Sequence, residues 1–159
     1  MPNLKDYICG GVNIMLKKLT PNIMVEDVSK TVDFYKNMLV CFELVDYESI
    51  KGKLQWALLR CGDVQIMFES KESMVNSIPM LRDGNSVGAV TIYIELEGIK
   101  ELYKMVKDKV SVVVGLHDTT YGMREFLIQD CNGLVITFAE WVGVKGFFES
   151  FVYHKELIH

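Results

Sequence analysis

The chain carries the same run of hydrophobic patterns twice. Residues 19–26 and 89–96 alternate apolar and polar positions and are rich in β-branched side chains, as half-buried strands are. Residues 28–39 then place Val28, Val32, Tyr35 and Leu39 at helical spacing, with Asp27 positioned to cap the first turn. Residues 98–109 place Ile99, Leu102, Tyr103 and Val106 in the same way. Three short strand patterns follow each helix, at about 41–47, 54–60 and 64–69 and again at about 111–115, 122–129 and 134–140. Each half therefore reads as βαβββ. A connector at 70–88 containing Pro79, Gly84 and Asn85 separates them.

Residue identities repeat as well as patterns. Val25-Glu26 matches Ile94-Glu95, Phe34-Tyr35-Lys36 matches Leu102-Tyr103-Lys104, and Ile66-Met67-Phe68 matches Ile136-Thr137-Phe138. Cys61-Gly62 echoes Cys131-Asn132-Gly133, and Glu69 echoes Glu140. The matches keep one order and nearly one offset, which points to an internal duplication.

Within the second half, Tyr121-Gly122-Met123-Arg124-Glu125-Phe126 is followed by Asp130-Cys131-Asn132-Gly133 and then Ile136-Thr137-Phe138-Ala139-Glu140. This reads as strand, tight turn, strand, because Asn132-Gly133 supplies left-handed backbone. It resembles the last hairpin of the glyoxalase/bleomycin-resistance (vicinal oxygen chelate) superfamily, with Cys131 and Asn132 in place of a usual Pro and Asp. Together with the duplication, the resemblance covers roughly residues 19–140. It implies an α+β fold in which two βαβββ modules, 19–69 and 88–140, form a cupped mixed β-sheet with helices outside and a ligand inside. Residues 1–18 form an N-terminal extension without a clear pattern. Residues 141–159 form a tail in which Phe147 and Phe151, with Val144 less regularly, suggest a short amphipathic helix.

Enzymes of this superfamily hold a divalent ion with His, Gln or Glu from four equivalent strands. The resemblance places those positions at Thr20, Met67 and Thr137 and, at the start of the second module, within Ala89, Val90 and Thr91, with Thr91 the best match. None is a usual ligand for a hard divalent ion, which needs converging O and N donors. Nearby, Asn22 and Gln65 are weak donors and Glu69 and Glu140 strong ones, while His117, His154 and His159 all lie elsewhere. No metal and no cofactor are therefore expected.

Strand alternation gives the cup lining. If Met67 and Thr137 point inward, so do Asn22, Met24, Gln65, Glu69, Thr91, Tyr93 and Glu95, while Ile66, Phe68, Ile136 and Phe138 face the helices. The resemblance adds Tyr121 at the pocket mouth and Arg124 at its rim, although an Arg at a hairpin edge serves equally well as a structural residue. Trp56 either stacks on a ligand or fills the core. This set offers acceptors, flexible methionines and aromatic faces, which suits a small aromatic or cationic molecule.

Composition narrows the function further. The 159 residues are 50% hydrophobic and 24% charged, enough for an ordinary core. A net charge of −4 with no Lys/Arg cluster argues against nucleic acid. The chain has no 18-residue apolar run and no basic segment leading into an apolar one, so neither a membrane span nor a signal peptide is expected. Four widely spaced cysteines, with no Cys-x-x-Cys, fit free thiols in the cytoplasm. The sequence is thus read as a metal-free, small-molecule binding protein, expected to be a homodimer because open sheet edges are usually covered. The alternative is a lyase, isomerase or dioxygenase of the same superfamily, related to lactoylglutathione lyase, that uses side chains such as Glu69 and Glu95 or a divergent metal site.

Overall fold

The structure is a computed structural model and describes residues 17–83 and 90–143, together with the backbone of Ile8–Cys9 and Val12–Asn13. Residues 20–144 make up one compact unit. Outside it, β1 (Ile8–Cys9) pairs antiparallel with β2 (Val12–Asn13). The expected tail helix lies outside the described residues.

The first module runs β3 (Asn22–Val25), α1 (Val28–Asn37), β4 (Glu43–Ile50), β5 (Lys53–Cys61) and β6 (Val64–Ser70). The second runs β7 (Thr91–Glu95), α3 (Ile99–Val106), β8 (Ser111–Asp118), β9 (Met123–Gln129) and β10 (Val135–Trp141). The sheets are ordered β3-β6-β5-β4 and β7-β10-β9-β8, with the first strand parallel to the last in each. Two identical four-stranded topologies are what a duplicated βαβββ unit produces.

Local chemistry sets the element ends. Asp27 caps α1 by accepting from the Lys30 amide at 2.9 Å. Glu140 accepts from the Gly98 amide at 2.8 Å, so a carboxylate on β10 satisfies a free donor at the start of α3. Three boundaries differ from the sequence reading. The connector holds a helix, α2 (Lys71–Ser77), and a 3₁₀ turn at Pro79–Leu81. Ser70 caps α2 at the Ser73 amide, 3.1 Å away, and Met74 and Val75 are buried, but seven residues are too few to show a period. Strand β8 continues to Asp118, so His117 sits on a strand and not in a loop. Trp141 ends β10 instead of opening the tail.

The buried side chains of both modules form one cluster that includes Val28, Tyr35, Leu39, Phe68, Ile99, Phe126 and Phe138. The rings of Tyr35 and Phe68 lie 4.8 Å apart, and those of Phe126 and Phe138 lie 5.1 Å apart. Hydrogen bonds reinforce this junction. Tyr35 Oη donates to Asp130 Oδ2 at 2.8 Å, and Asn132 Nδ2 donates to Thr31 Oγ1 at 3.0 Å. The β9–β10 turn of the second module is thereby tied to α1 of the first.

Two non-glycine residues of the first module, Val40 and Lys51, have left-handed backbone, and the strain is greater at the β-branched one. Val40, between α1 and β4, has φ of +55°, a left-handed conformation that a β-branched side chain resists. Val40→Gly is expected to raise the unfolding free energy by about 1 kcal/mol, since the relief of strain exceeds the added chain entropy and the loss of a half-exposed side chain. Urea unfolding measures this, and a lower stability for the variant would show that the Val40 side chain contributes more than its backbone costs.

Candidate functional site

Each sheet turns one face to the core, and its other face stays open. Register decides which residues share the open face. In the first sheet, Met67 stands opposite Asn22 and Leu58, and Glu69 stands opposite Met24 and Trp56. Gln65 stands opposite Arg60. In the second, Thr137 lies between Tyr93 and Leu127, and Ala139 lies between Glu95 and Glu125. Ile66, Phe68, Ile136 and Phe138 point the other way and are at most 2% exposed. The expected lining thus falls on open faces: Asn22, Met24, Trp56, Gln65, Met67 and Glu69 on the first sheet, and Thr91, Tyr93, Glu95 and Thr137 on the second.

Glu69 organises the first face. Asn22 Nδ2 donates to its Oε2 and Ser73 Oγ donates to its Oε1, both at 2.7 Å. Both carboxylate oxygens are engaged, one by strand β3 and the other by helix α2. Trp56, directly across from Glu69, is partly exposed on this open face.

Glu125 organises the second face. It is 5% exposed although it sits on the open side. Tyr93 Oη donates to its Oε1 at 2.7 Å, and Tyr121 Oη lies 3.1 Å from both oxygens. Burial and then the hydrogen bond to Glu125 raise the pKa of both phenols, so they remain neutral donors at physiological pH. Sequence reasoning did not place Glu125 in the site, although it lies inside the hairpin motif. The signal was the register of the β9–β10 hairpin, which sets Glu125 opposite the inward Ala139.

Arg124 does not join this group. It stands opposite Glu140, on the face that Glu125 leaves, and forms an ion pair with Asp118 at 2.6 Å. Hydrogen bonding to Asp118 raises its already high pKa. Its role in the structure is to tie β8 to β9. Tyr121, the other residue of the motif expected at the pocket mouth, does reach the open face through Glu125.

The donor set does not fit a hard divalent ion. Thr20, Met67, Thr91 and Thr137 offer two kinds of group, hydroxyl and thioether, that bind such ions poorly. Among the described residues, no three His, Cys, Asp or Glu side chains are grouped to hold a metal ion. No helix among them is long and apolar enough to cross a membrane.

A cavity of about 330 Å³ lies between the modules and is lined by Cys41, Cys61, Ile94, Leu96, Leu102 and Phe138, among others. Burial and then the neighbouring Cys61 thiol push the Cys41 thiol up to about 12. At neutral pH it is an apolar lining group and not a nucleophile. Iodoacetamide should therefore label Cys41 more slowly in the folded protein than in the unfolded chain. Peptide mapping after a timed exposure at pH 8 tests this, and equally rapid labelling of Cys41 in both states would contradict it.

The fold and sequence match known proteins. The model of the Glyoxalase/Bleomycin resistance protein/Dioxygenase superfamily fits residues 16–138. Bleomycin resistance proteins of Geobacillus stearothermophilus and Staphylococcus aureus are 29% identical over 131 residues, spanning 77% of this chain and 95% of theirs. Among solved structures, TioX from Micromonospora sp. ML1 superimposes with a TM-score of 0.64 at 16% identity, covering 79% of this chain and 98% of its own. A glyoxalase/bleomycin resistance protein/dioxygenase from Nocardioides gives a TM-score of 0.62 at 14% identity, covering 86% and 89%. With the duplicated modules, the hairpin motif and the family match in agreement, the chain belongs to the Glyoxalase/Bleomycin resistance protein/Dioxygenase superfamily.

Proposed function

We propose that the protein binds and sequesters a small organic molecule without a metal ion, in a cup completed by a second copy of the chain. The observation that carries this reading is a mismatch within one site. The positions that the resemblance assigns to metal ligands hold Thr20, Met67, Thr137 and one of Ala89, Val90 and Thr91, while the open faces present aromatic rings and hydrogen-bonded carboxylates. Such a face binds by stacking and charge and lacks the donors for Lewis-acid chemistry. The curated relatives are named for resistance to bleomycin, and a protein that confers resistance by capture needs affinity and no turnover. The open faces also support pairing, because Tyr93 is 50% exposed and Trp141 is 63% exposed in the single chain.

Titration calorimetry with Ni, Zn, Mn and Fe is expected to show no tight event, and native mass spectrometry of the same sample should carry an organic adduct and no stoichiometric metal. Glu69 is the strongest remaining donor near the family positions, but both its oxygens are already taken by Asn22 and Ser73. A micromolar metal site that disappears in Glu69→Ala would sink the metal-free reading.

A further inference from the structure

Glu125 stands out among the described carboxylates. Only Glu125 and Asp130 are buried, and Asp130 is consumed by the turn it holds. Glu125 belongs to no turn, cap or ion pair. It lies under two tyrosines on a face that the core does not use. No cation is supplied from its own sheet. Strands β7, β8, β9 and β10 contain one Lys or Arg between them, Arg124, and that residue points to the other face and pairs with Asp118. His117 is the register partner of Glu125 on β8, but it is exposed and its Nδ1 meets the Gly115 carbonyl oxygen at 2.9 Å. Glu95 adds a second carboxylate to the same face, across Ala139.

Two aromatic side chains share the Glu125 carboxylate. Tyr93 and Tyr121 are 50% and 59% exposed while their hydroxyls are held by Glu125, so one carboxylate fixes two rings and leaves much of their surface open. Trp141, 63% exposed, lies on the same open face, two residues beyond Ala139, the register partner of Glu125. Gly122 has φ of +87°, and a Cβ there would come within 2.9 Å of Trp141 ring carbons, so the indole rests on the backbone next to Tyr121. The absent side chain of Gly122 is what allows that contact.

We propose that Tyr93 and Tyr121, held by Glu125, with Trp141 beside Gly122 on the same face, form a subsite for an organic cation of the quaternary-ammonium type, a proposal that rests on the small-molecule reading above. The chemistry selects this class over a primary ammonium. The Glu125 oxygens already accept the two phenol hydroxyls, so few acceptor sites remain for N–H donors. A trialkylated nitrogen needs none. It is weakly hydrated, sits on ring faces and senses the carboxylate through them, each ring contributing more as water leaves. The hydroxyl hydrogen bonds to an anion also enrich the rings in electron density, which strengthens their negative faces.

The test compares choline with its neutral carbon isostere, 3,3-dimethylbutan-1-ol. Saturation-transfer NMR observes the N-methyl and tert-butyl signals, and calorimetry supplies affinities. Choline is expected to bind about tenfold more tightly than the isostere, a margin typical of a desolvated cation on aromatic faces. Glu125→Gln keeps the shape and removes the charge, and it should abolish that margin while leaving the isostere unchanged. Tyr121→Leu, at a largely exposed position that the fold tolerates, should weaken choline by a similar factor if Glu125→Gln proves poorly folded. Equal binding of choline and isostere, or a margin that survives both variants, overturns the proposal. Organic adducts in native mass spectra without any preference for choline overturn this subsite and leave the small-molecule reading standing. A protein that retains and binds no small molecule at all overturns both.

Discussion

Asp130→Ala is expected to lower the unfolding free energy by roughly 3–4 kcal/mol, a large share of what a domain of this size has. Asp130 is 6% exposed and serves three donors. Its Oδ1 accepts from the amides of Asn132 at 2.8 Å and Leu134 at 2.9 Å, which closes the β9–β10 turn. Its Oδ2 accepts from Tyr35 Oη at 2.8 Å, across 95 residues of sequence. Tyr35 is fully buried, so removing the carboxylate leaves a phenol hydroxyl with neither protein nor water to accept its proton. The two amides lie nearer the surface and can recruit water, which limits the loss. At about 3 °C per kcal/mol for a chain of this length, the melting temperature should fall by about 10 °C. Tyr35→Phe removes one hydrogen bond and leaves the carboxylate its two amides, so it should cost about 1–2 kcal/mol. The pair should couple in a double-mutant cycle by more than 1 kcal/mol. Additive losses would show that the turn and the helix are stabilised independently.

That prediction marks what was legible in the sequence. Asn132-Gly133 announced a tight turn because left-handed backbone is a local property, and the six-residue motif announced a hairpin for the same reason. The elements came from period alone: 28–39 contains α1 at Val28–Asn37, and 64–69 lies within β6 at Val64–Ser70. The partner of Asp130 was not legible, because no local pattern links residue 130 to residue 35. The same holds within the site. Alternation correctly put Ile66, Phe68, Ile136 and Phe138 in the core, since hydrophobicity marks a buried face. It could carry Asn22, Met67, Tyr93 and Thr137 to open faces from that anchor. Glu125 and Arg124 are adjacent and both polar, so neither hydrophobicity nor charge told which one would turn outward and which would brace β8. Only the pairing of β9 with β10 decides that, and register is a tertiary fact. Helix α2 escaped because its seven residues are mostly polar and it buries only Met74 and Val75.

In solution, the chain is expected to be a dimer whose melting temperature rises with protein concentration. The reason lies in what a single copy leaves uncovered. Trp141 is 63% exposed, Tyr121 59%, Val113 53% and Tyr93 50%, and all lie on or beside the second sheet. Exposed apolar side chains so concentrated on one structure are unusual for a monomer. Strands β4 and β8 end their sheets and offer unpaired backbone groups, which natural proteins cover or pair. A second copy can answer both needs, since a twofold axis sets one open face against another and encloses a cup between them. Val114 is a suitable probe. It lies on edge strand β8, stands opposite Leu127 on the open face and is 40% exposed, so a lysine there does not disturb the core. Val114→Lys should shift the protein to monomer in multi-angle light scattering, with circular dichroism unchanged. Because linkage makes dimer stability concentration-dependent, tenfold dilution should lower the wild-type melting temperature and leave that of the variant unmoved. Small-molecule affinity should fall with the dimer, because half of each cup is lost. A wild-type monomer whose melting temperature ignores concentration would refute the shared cup, and any ligand would then have to bind on one open sheet alone.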